Sequence, residues 1–349
     1  MSGPDRGLTP VVRLAPAKLN LTLAIVGRRP DGFHALHSVM ATLDLADRLS
    51  LAVDPSPGAR DSLRVEGLDP GPAEQNLVPR AIEATRRAVR GHLPLAPPGL
   101  AVRLEKRIPV AAGLAGGSSD AAAAIDGALE AWGAADLLGD QERREVAASI
   151  GIDVPFFVTG GTALVEGRGE RVTPLHGLRL AAAEPPPGLL LVTPAVSSPT
   201  ADVFAAWAGG AMGEPGVARR TSEHFASEFG SGLTARQLLE RAGVLAAAND
   251  LLPAAAAVVD GLVPFRRALT RLLGRPIGLS GSGPTLWALY PSVDDADLAA
   301  AAVRAAVGTG FIRAPGSDPP FVVATTFQPP ATSVQTVAAS PPTDDRSER

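Results

Sequence analysis

The feature that most restricts how this chain can fold is a junction where Arg107-Ile108-Pro109 gives way to Gly113-Leu114-Ala115-Gly116-Gly117-Ser118-Ser119-Asp120, followed by the alanine-rich stretch 121–132. Closely spaced glycines allow backbone conformations and approaches that a Cβ would obstruct, and alanine is the strongest helix former. The order strand, glycine loop, helix follows, with the helix over 121–132. Unpaired amides at a helix start, with the positive end of its dipole, favour a phosphate. Ser119 or Asp120 serves equally well as a helix cap, so capping and phosphate binding compete here. A serine hydroxyl at this junction also suits a magnesium shell. The segment lacks both the Lys-Ser/Thr ending of a P-loop and the GxGxxG spacing of a dinucleotide site.

At 349 residues the chain is long enough for two domains. With 46% apolar and 19% charged residues it has material for a substantial core. Its 32 basic and 36 acidic residues leave a net charge of −4, which argues against nucleic-acid and membrane partners. No cysteine is present, which excludes disulfides, thiolate catalysis and cysteine-held metals, and fits a cytoplasmic location. Residues 1–10 carry Asp5 and Arg6 and no signal-like apolar run. His34 and His37 stand three apart without a metal-binding pattern, and no G-x-S-x-G elbow precedes a helix.

Hydrophobic patterning predicts strands around 11–13, 19–26, 47–53 and 100–104, and helices over 77–90, with Pro79 in the first turn, and 142–150. An apolar run covers 156–159, and 164–167 with Val172 continue as sheet or turn. Residues 181–188, with Glu184 and three prolines, read as an extended connector, dividing the chain into domains 11–180 and 188–328. The second domain is read as strands 189–193 and 321–326, helices 201–207, 235–240 and 294–306, and a loop at 209–216. Residues 254–273 read as helical with a break near Pro264, and 277–289 as a second glycine turn leading into a strand. The fold class is therefore α+β in two domains. Residues 329–349 are polar and rich in Pro, Ser and Thr, and are expected to be a disordered tail.

Thirty residues are arginine and only two, Lys18 and Lys106, are lysine. A compact ammonium in such a background suggests a place where a planar guanidinium does not fit. Lys18 follows Pro16 at the entry to an apolar strand, where it serves either as an edge residue with its head in water or as a fixed cation. Asp153, in Gly151-Ile152-Asp153-Val154-Pro155, either caps a short helix or acts as a carboxylate beside a substrate hydroxyl, with Lys18 keeping it ionised.

Taken together, Pro16-Ala17-Lys18-Leu19-Asn20-Leu21, Asp31-Gly32-Phe33-His34, Glu74-Gln75-Asn76-Leu77, the run from Pro109 to Ala122, Gly151 to Pro155 and Leu279-Ser280-Gly281-Ser282-Gly283-Pro284-Thr285 resemble the superfamily of galactokinase, homoserine, mevalonate and phosphomevalonate kinases. The resemblance spans residues 13–327, and Asp31 to His34 points to the branch that acts on 4-diphosphocytidyl-2-C-methylerythritol rather than on homoserine or mevalonate. It implies a first domain like ribosomal protein S5 domain 2 and a ferredoxin-like second domain. The reaction it implies is transfer of the ATP γ-phosphoryl to the substrate's C2 hydroxyl, in the non-mevalonate route to isoprenoid precursors.

By the same resemblance Lys18 and Asp153 are catalytic. Asn76, Leu77, Lys106, Pro109, Gly113, Leu114, Ala115, Gly116, Gly117, Ser118 and Ser119 bind ATP. Asn20, Phe33, His34, Phe204, Gly281, Ser282 and Gly283 bind the cytidyl diphosphate substrate. His34 would read the cytosine edge, with Phe33 on one face of the base and Phe204 on the other. Magnesium would be held mainly by ATP phosphates, and the assembly is left open between a monomer and a weak homodimer. Phe33 stands where the family often has tyrosine, so it keeps a stacking face and loses an O–H. Ala111, Ala112 and Ala115 stand where some members have glycine, which requires negative φ at those positions.

Overall fold

The computed structural model describes residues 9–328 except 57, 94, 181–183 and 211–215. The expected tail and the opening residues 1–8 therefore lie outside the described residues, as do parts of the expected connector and of the 209–216 loop. In chain order the first half contains β1 (Val11–Asn20), β2 (Ala24–Arg28), β3 (His34–Val53), β4 (Ser62–Gly67), α1 (Leu77–Val89), β5 (Leu100–Lys106), α2 (Gly116–Ala131), α3 (Asp140–Ile150), α4 (Val154–Thr159), β6 (Thr162–Gly167) and β7 (Arg171–Pro174).

These strands form one seven-stranded sheet organised on β3. Antiparallel β1 and β2 lie along one edge of β3, and antiparallel β5 and β6 along the other. The expected strand at 47–53 is only the last part of this 20-residue element. Its middle, from Ser38 to Leu43, is buried on both faces and includes Ser, Met, Ala and Thr, so it shows no polar alternation. On the second edge β6 pairs up to Ala41 and β5 starts at Arg48. The sheet is split there, and in the gap Leu43 is bridged by Phe327, while the Gln328 amide donates to the Thr42 carbonyl at 2.9 Å.

Helices cover one face of this sheet. Val78, Ala81, Ile82, Thr85 and Val89 form the buried stripe of α1, which packs beside α2 over Leu49, Leu51 and Leu104. Helix α2 begins at Gly116, five residues before the expected start, so the second half of the glycine run is its first turn. Ser119 and Asp120 accordingly lie inside the helix and neither caps it.

The second half adds β8 (Leu178–Arg179), β9 (Gly188–Thr193), α5 (Thr200–Ala208), α6 (Val217–Ser231), β10 (Leu233–Thr234), α7 (Ala235–Glu240), α8 (Ala242–Ala247), α9 (Leu252–Val258), α10 (Leu262–Leu273), β11 (Gly278–Leu279), β12 (Leu286–Tyr290), α11 (Val293–Gly308) and β13 (Phe321–Thr326). A four-stranded antiparallel sheet runs β11-β12-β9-β13. Successive side chains of β9 face opposite ways. Leu189 and Leu191 join Leu19, Leu21, Val39 and Leu43 of the first sheet, while Leu190 and Val192 pack with α9, α10 and α11.

The break near Pro264 is real but lies upstream: α9 ends at Val258 and α10 starts after Gly261, with Pro264 in the first turn, where its missing N–H is harmless. Helix α6 had no counterpart in the sequence reading. Its buried Ala218, Ser222, Phe225 and Phe229 are helically spaced, but two arginines and two glutamates between them mask the stripe.

Candidate active site

Lys18 reaches the site because β1 stops pairing regularly just before it. The register with β3 shifts between Pro16 and Lys18, and the Lys18 amide donates to the Leu114 carbonyl of the glycine loop at 3.0 Å. This join brings β1 and the loop together. The Lys18 ammonium, 4% exposed, donates to Asn20 Oδ1 and to the Gly113 carbonyl at 2.7 Å. Burial lowers the Lys18 pKa from the usual lysine range, and the charge of Asp153 opposes that shift. Asn20 is held in turn: its Nδ2 donates to Ser38 Oγ at 2.8 Å.

The second sheet closes over this pair through the turn after β11. Ser280 Oγ donates to the Gly113 carbonyl at 2.9 Å and accepts from the Asn20 amide at 3.4 Å. Approach is so close that a Cβ on Gly113 would lie 2.3 Å from the Ser280 carbonyl, and one on Gly281 would lie 3.2 Å from Lys18 Nζ. The backbone contact leaves no room for a side chain at Gly113, while at Gly281 a Cβ would be tight, and both positions have positive φ. From behind, Asn249 Nδ2 donates to the Leu279 and Gly281 carbonyls, each at 2.9 Å.

Beneath the loop, Lys106 donates to Asp47 and to Asp120 at 2.7 Å, with all three side chains buried. Asp47 occupies the split in the first sheet and also accepts the amides of Arg107 and Ile108. Burial pushes the Asp120 carboxyl up to about 7, Lys106 opposes the shift, and the neighbouring Asp47 charge adds to it. Lys106 lines the cleft, but this ion pairing already commits its ammonium to the floor of the loop.

Ala111 and Ala115 adopt φ of 53° and 54°. The expectation of negative φ is thus wrong for these two positions. An alanine pays a steric cost of roughly 1–2 kcal/mol in the left-handed region, which the surrounding contacts offset. Ala115 precedes the first turn of α2, whose leading amides, those of Gly116 and Gly117, have no earlier helical carbonyl to bond.

Asp153 stands at the cap position of α4, yet its side chain makes no capping bond. It lines the same cleft as Lys18, a cavity of about 810 Å³ that also takes in Pro109, Gly113, Ala115, Gly116, Gly117 and Ser118. Asn76 and Leu77 line it too, and Asn76 additionally caps α1 by accepting from the Val78 amide at 3.0 Å.

Asn20, Gly281 and Ser282 line the cleft beside Lys18, and Phe33, His34 and Phe204 also line it. Phe204 is stacked on the His34 imidazole, with centroids 5.5 Å apart and planes at 17°, and Trp207 meets His34 edge-on at 5.1 Å. Phe204, expected to stack on one face of a base, thus has the His34 ring as a stacking partner in this structure. Burial and the charge of Arg28 hold the His34 pKa below its usual value, which favours the neutral ring with one donor and one acceptor nitrogen.

Three expected binding residues do not line the cleft. The Leu114 side chain is in the core and contributes only its carbonyl to Lys18. The Ser119 hydroxyl is buried in α2 without a hydrogen-bond partner. Gly283 closes the β11–β12 turn by donating its amide to the Ser280 carbonyl at 2.9 Å. Sequence reasoning in turn missed Asp47, Asp120, Asn249, Ser280, Arg28 and Arg168. Asp120 and Ser280 lay inside recognised motifs, whereas Asn249 and Arg168 carry no local signal and are brought in by the fold.

A family model described as "GHMP kinases N terminal domain" matches residues 76–161. The chain is 36% identical to a 4-diphosphocytidyl-2-C-methyl-D-erythritol kinase of Pelotomaculum thermopropionicum, over 84% of this chain and 94% of the relative. It is 34% identical to the Geobacter sulfurreducens protein of the same description, over 83% and 94%. Among solved structures, a crystal structure of 4-(cytidine 5'-diphospho)-2C-methyl-D-erythritol kinase matches at 31% identity with a TM-score of 0.62, covering 90% of this chain and 99% of that one. A homoserine kinase from Cytophaga hutchinsonii matches at 17% identity with a TM-score of 0.61, covering 94% and 98%, a likeness of fold alone.

Proposed function

Because the chain belongs to the 4-diphosphocytidyl-2-C-methyl-D-erythritol kinases, within the GHMP kinases, we propose that it transfers the ATP γ-phosphoryl to the C2 hydroxyl of 4-diphosphocytidyl-2-C-methyl-D-erythritol, giving the 2-phosphate and ADP. The observation that carries this reading is that Lys18, Asp153 and the start of α2 line a single cleft. Asp153 accepts the hydroxyl proton as the oxygen attacks, and the Lys18 ammonium steadies the negative charge that develops there. The amides of Gly116 and Gly117 receive phosphate oxygens, Asn76 and Leu77 border the adenine, and neutral His34 reads the base.

Among the described residues no group of three or more acidic, histidine or cysteine side chains is placed to hold a metal ion, and we assign the magnesium that accompanies ATP to its phosphates. When bound, the ion supplies charge neutralisation on the phosphates. We assign residues 11–180 to the ATP-binding domain and 188–328 to the second domain, a division supported by the seven-stranded sheet ending at Pro174 and the four-stranded sheet beginning at Gly188. The absence of cysteine supports a cytoplasmic setting, and no helix among the described residues is long and apolar enough to cross a membrane.

The test is transfer from radiolabelled ATP to the cytidyl substrate, homoserine and mevalonate in parallel. Label in the cytidyl substrate alone is the expected result. Label in homoserine or mevalonate, with none in the cytidyl substrate, would overturn the reading.

A further inference from the structure

Four arginines stand around the Phe33 and His34 end of the cleft, and they divide into two kinds. Arg29 is bound to Asp31 at 3.0 Å and to Glu170 at 3.3 Å, and Arg171 meets Glu166 at 3.6 Å; neither lines the cleft. Arg28 and Arg168 do line it, and no ion pair among the described residues includes either one. The nearby carboxylates Asp31 and Glu170 are bonded by Arg29; both also feel the charge of Arg168, but neither is within ion-pair distance of it, so the two inner guanidinium groups keep their N–H donors.

Both are held by the backbone around them. Arg28 ends β2 in register with His34 of β3, beside the ring assigned to the base. Arg168 sits in the β6–β7 turn, where its amide donates to Glu170 Oε2 at 2.6 Å and the Gly169 amide donates to the Glu166 carbonyl at 3.1 Å. The turn is pressed on the segment before Asp153: a Cβ on Gly169 would come within 2.6 Å of the Ile152 side chain. The guanidinium lies over the Phe33 ring, 4.9 Å from its centroid. A cation stacked on an aromatic face keeps its in-plane N–H groups free for an anion.

We propose that Arg28 and Arg168 grip the diphosphate of the nucleotide substrate, one from each side of the Phe33-His34 corner. This rests on the cytidyl reading above and deepens it, because it assigns residues to the group that links the base to the phosphorylated alcohol. A guanidinium pair offers forked donors matched to phosphate oxygens, and the amides of α2 are left to ATP.

The test is calorimetric titration of the full chain, with its ATP site filled by a non-hydrolysable ATP analogue, using CDP, CMP and cytidine as ligands. The proteins are the wild type, Arg28→Gln, Arg168→Gln, the double glutamine variant and the double lysine variant. The wild type is expected to bind CDP about tenfold or more tighter than cytidine. Each single variant loses part of that preference, the double glutamine variant loses nearly all of it, and the double lysine variant recovers a fraction. Binding of the ATP analogue, which reports an intact fold, stays unchanged, and the CDP preference is scored against each variant's own cytidine affinity, because Arg28 also acts on His34 and Arg168 on Phe33. The CDP preference also falls with added salt in the wild type and not in the double glutamine variant. A double glutamine variant that keeps the wild-type preference overturns the proposal, as does a wild type with no preference. Failure of the wild type to bind either CDP or cytidine removes the cytidyl reading and this proposal with it, an outcome distinct from the other two.

Discussion

At the scale of single residues, the site depends on how a few charges are buried. Asp153 makes no capping bond, so Asp153→Asn removes a proton acceptor without removing a contact that holds α4. Its expected effect is a fall in kcat of about 10²- to 10⁴-fold with ATP affinity retained, read by steady-state kinetics and nucleotide titration. An unchanged kcat would reject Asp153 as the base. Asp120 gives a pH prediction of definite sign. Its folded pKa of about 7 lies above the ordinary carboxyl value of 3.8, so between these values the folded state holds a proton that the unfolded state has released. This contribution is fully present below the lower value and is lost as pH rises through the upper one. Asp120→Asn leaves Lys106 with one carboxylate, Asp47, and is expected to flatten the decline in stability from pH 4 to 7, measured as urea midpoints. A variant that keeps the wild-type slope would place the titrating group elsewhere. The alanines at positive φ make the third case. Ala111→Gly and Ala115→Gly should each raise stability by up to about 1 kcal/mol, because relief of left-handed strain exceeds the added freedom of the unfolded chain. A lower urea midpoint in both would show that their methyl groups matter more than their backbone.

Elements meet at the site through backbone carbonyls more than through side-chain pairs. Gly113 O receives both Lys18 and Ser280, and Asn249 holds the Ser280 turn by donating to the carbonyls on either side of it. The segment carrying Asn249 is itself stitched to the first half: Leu23 N donates to Ala248 O at 2.7 Å, and Asp250 N to Leu23 O at 2.9 Å. Asn249→Ala leaves two buried carbonyls unpaired, which costs about 1–3 kcal/mol. Asn249→Asp preserves shape but turns a donor into an acceptor facing two acceptors. It is expected to be worse than alanine in both thermal stability and kcat. An aspartate variant equal to wild type would mean that the amide does not hold the turn. Several elements were legible in the sequence because their signals are local. The stretch 77–90 has a helical apolar stripe and an early proline, and 321–326 is a compact apolar run; the structure gives Leu77–Val89 and Phe321–Thr326. Strand β3 and helix α6 were not legible, since one is buried on both faces and the other hides its stripe among charges.

For the molecule as a whole, two sheets and their helices enclose three main apolar clusters, one of which joins buried strand residues of both sheets. Sharing that cluster fixes the β11–β12 turn over the glycine loop, so the cleft is a property of both halves together. The sequence by itself determined the α+β class, the glycine loop and its helix, and the membership of Lys18, Asn20, His34 and Asp153 in one family pattern. Motif order and helix propensity are local or linear quantities, and they survive without knowledge of the fold. Tertiary structure alone decided that Asp47 and Asp120 share Lys106, that Phe204 stacks on His34, that Ser119 and Gly283 stand back from the cleft, and that Arg28 and Arg168 face into it without carboxylate partners. Each of these depends on residues far apart in the chain meeting at a set distance, in a setting whose burial sets their charge. Such a meeting leaves no periodicity or spacing to be read along the sequence.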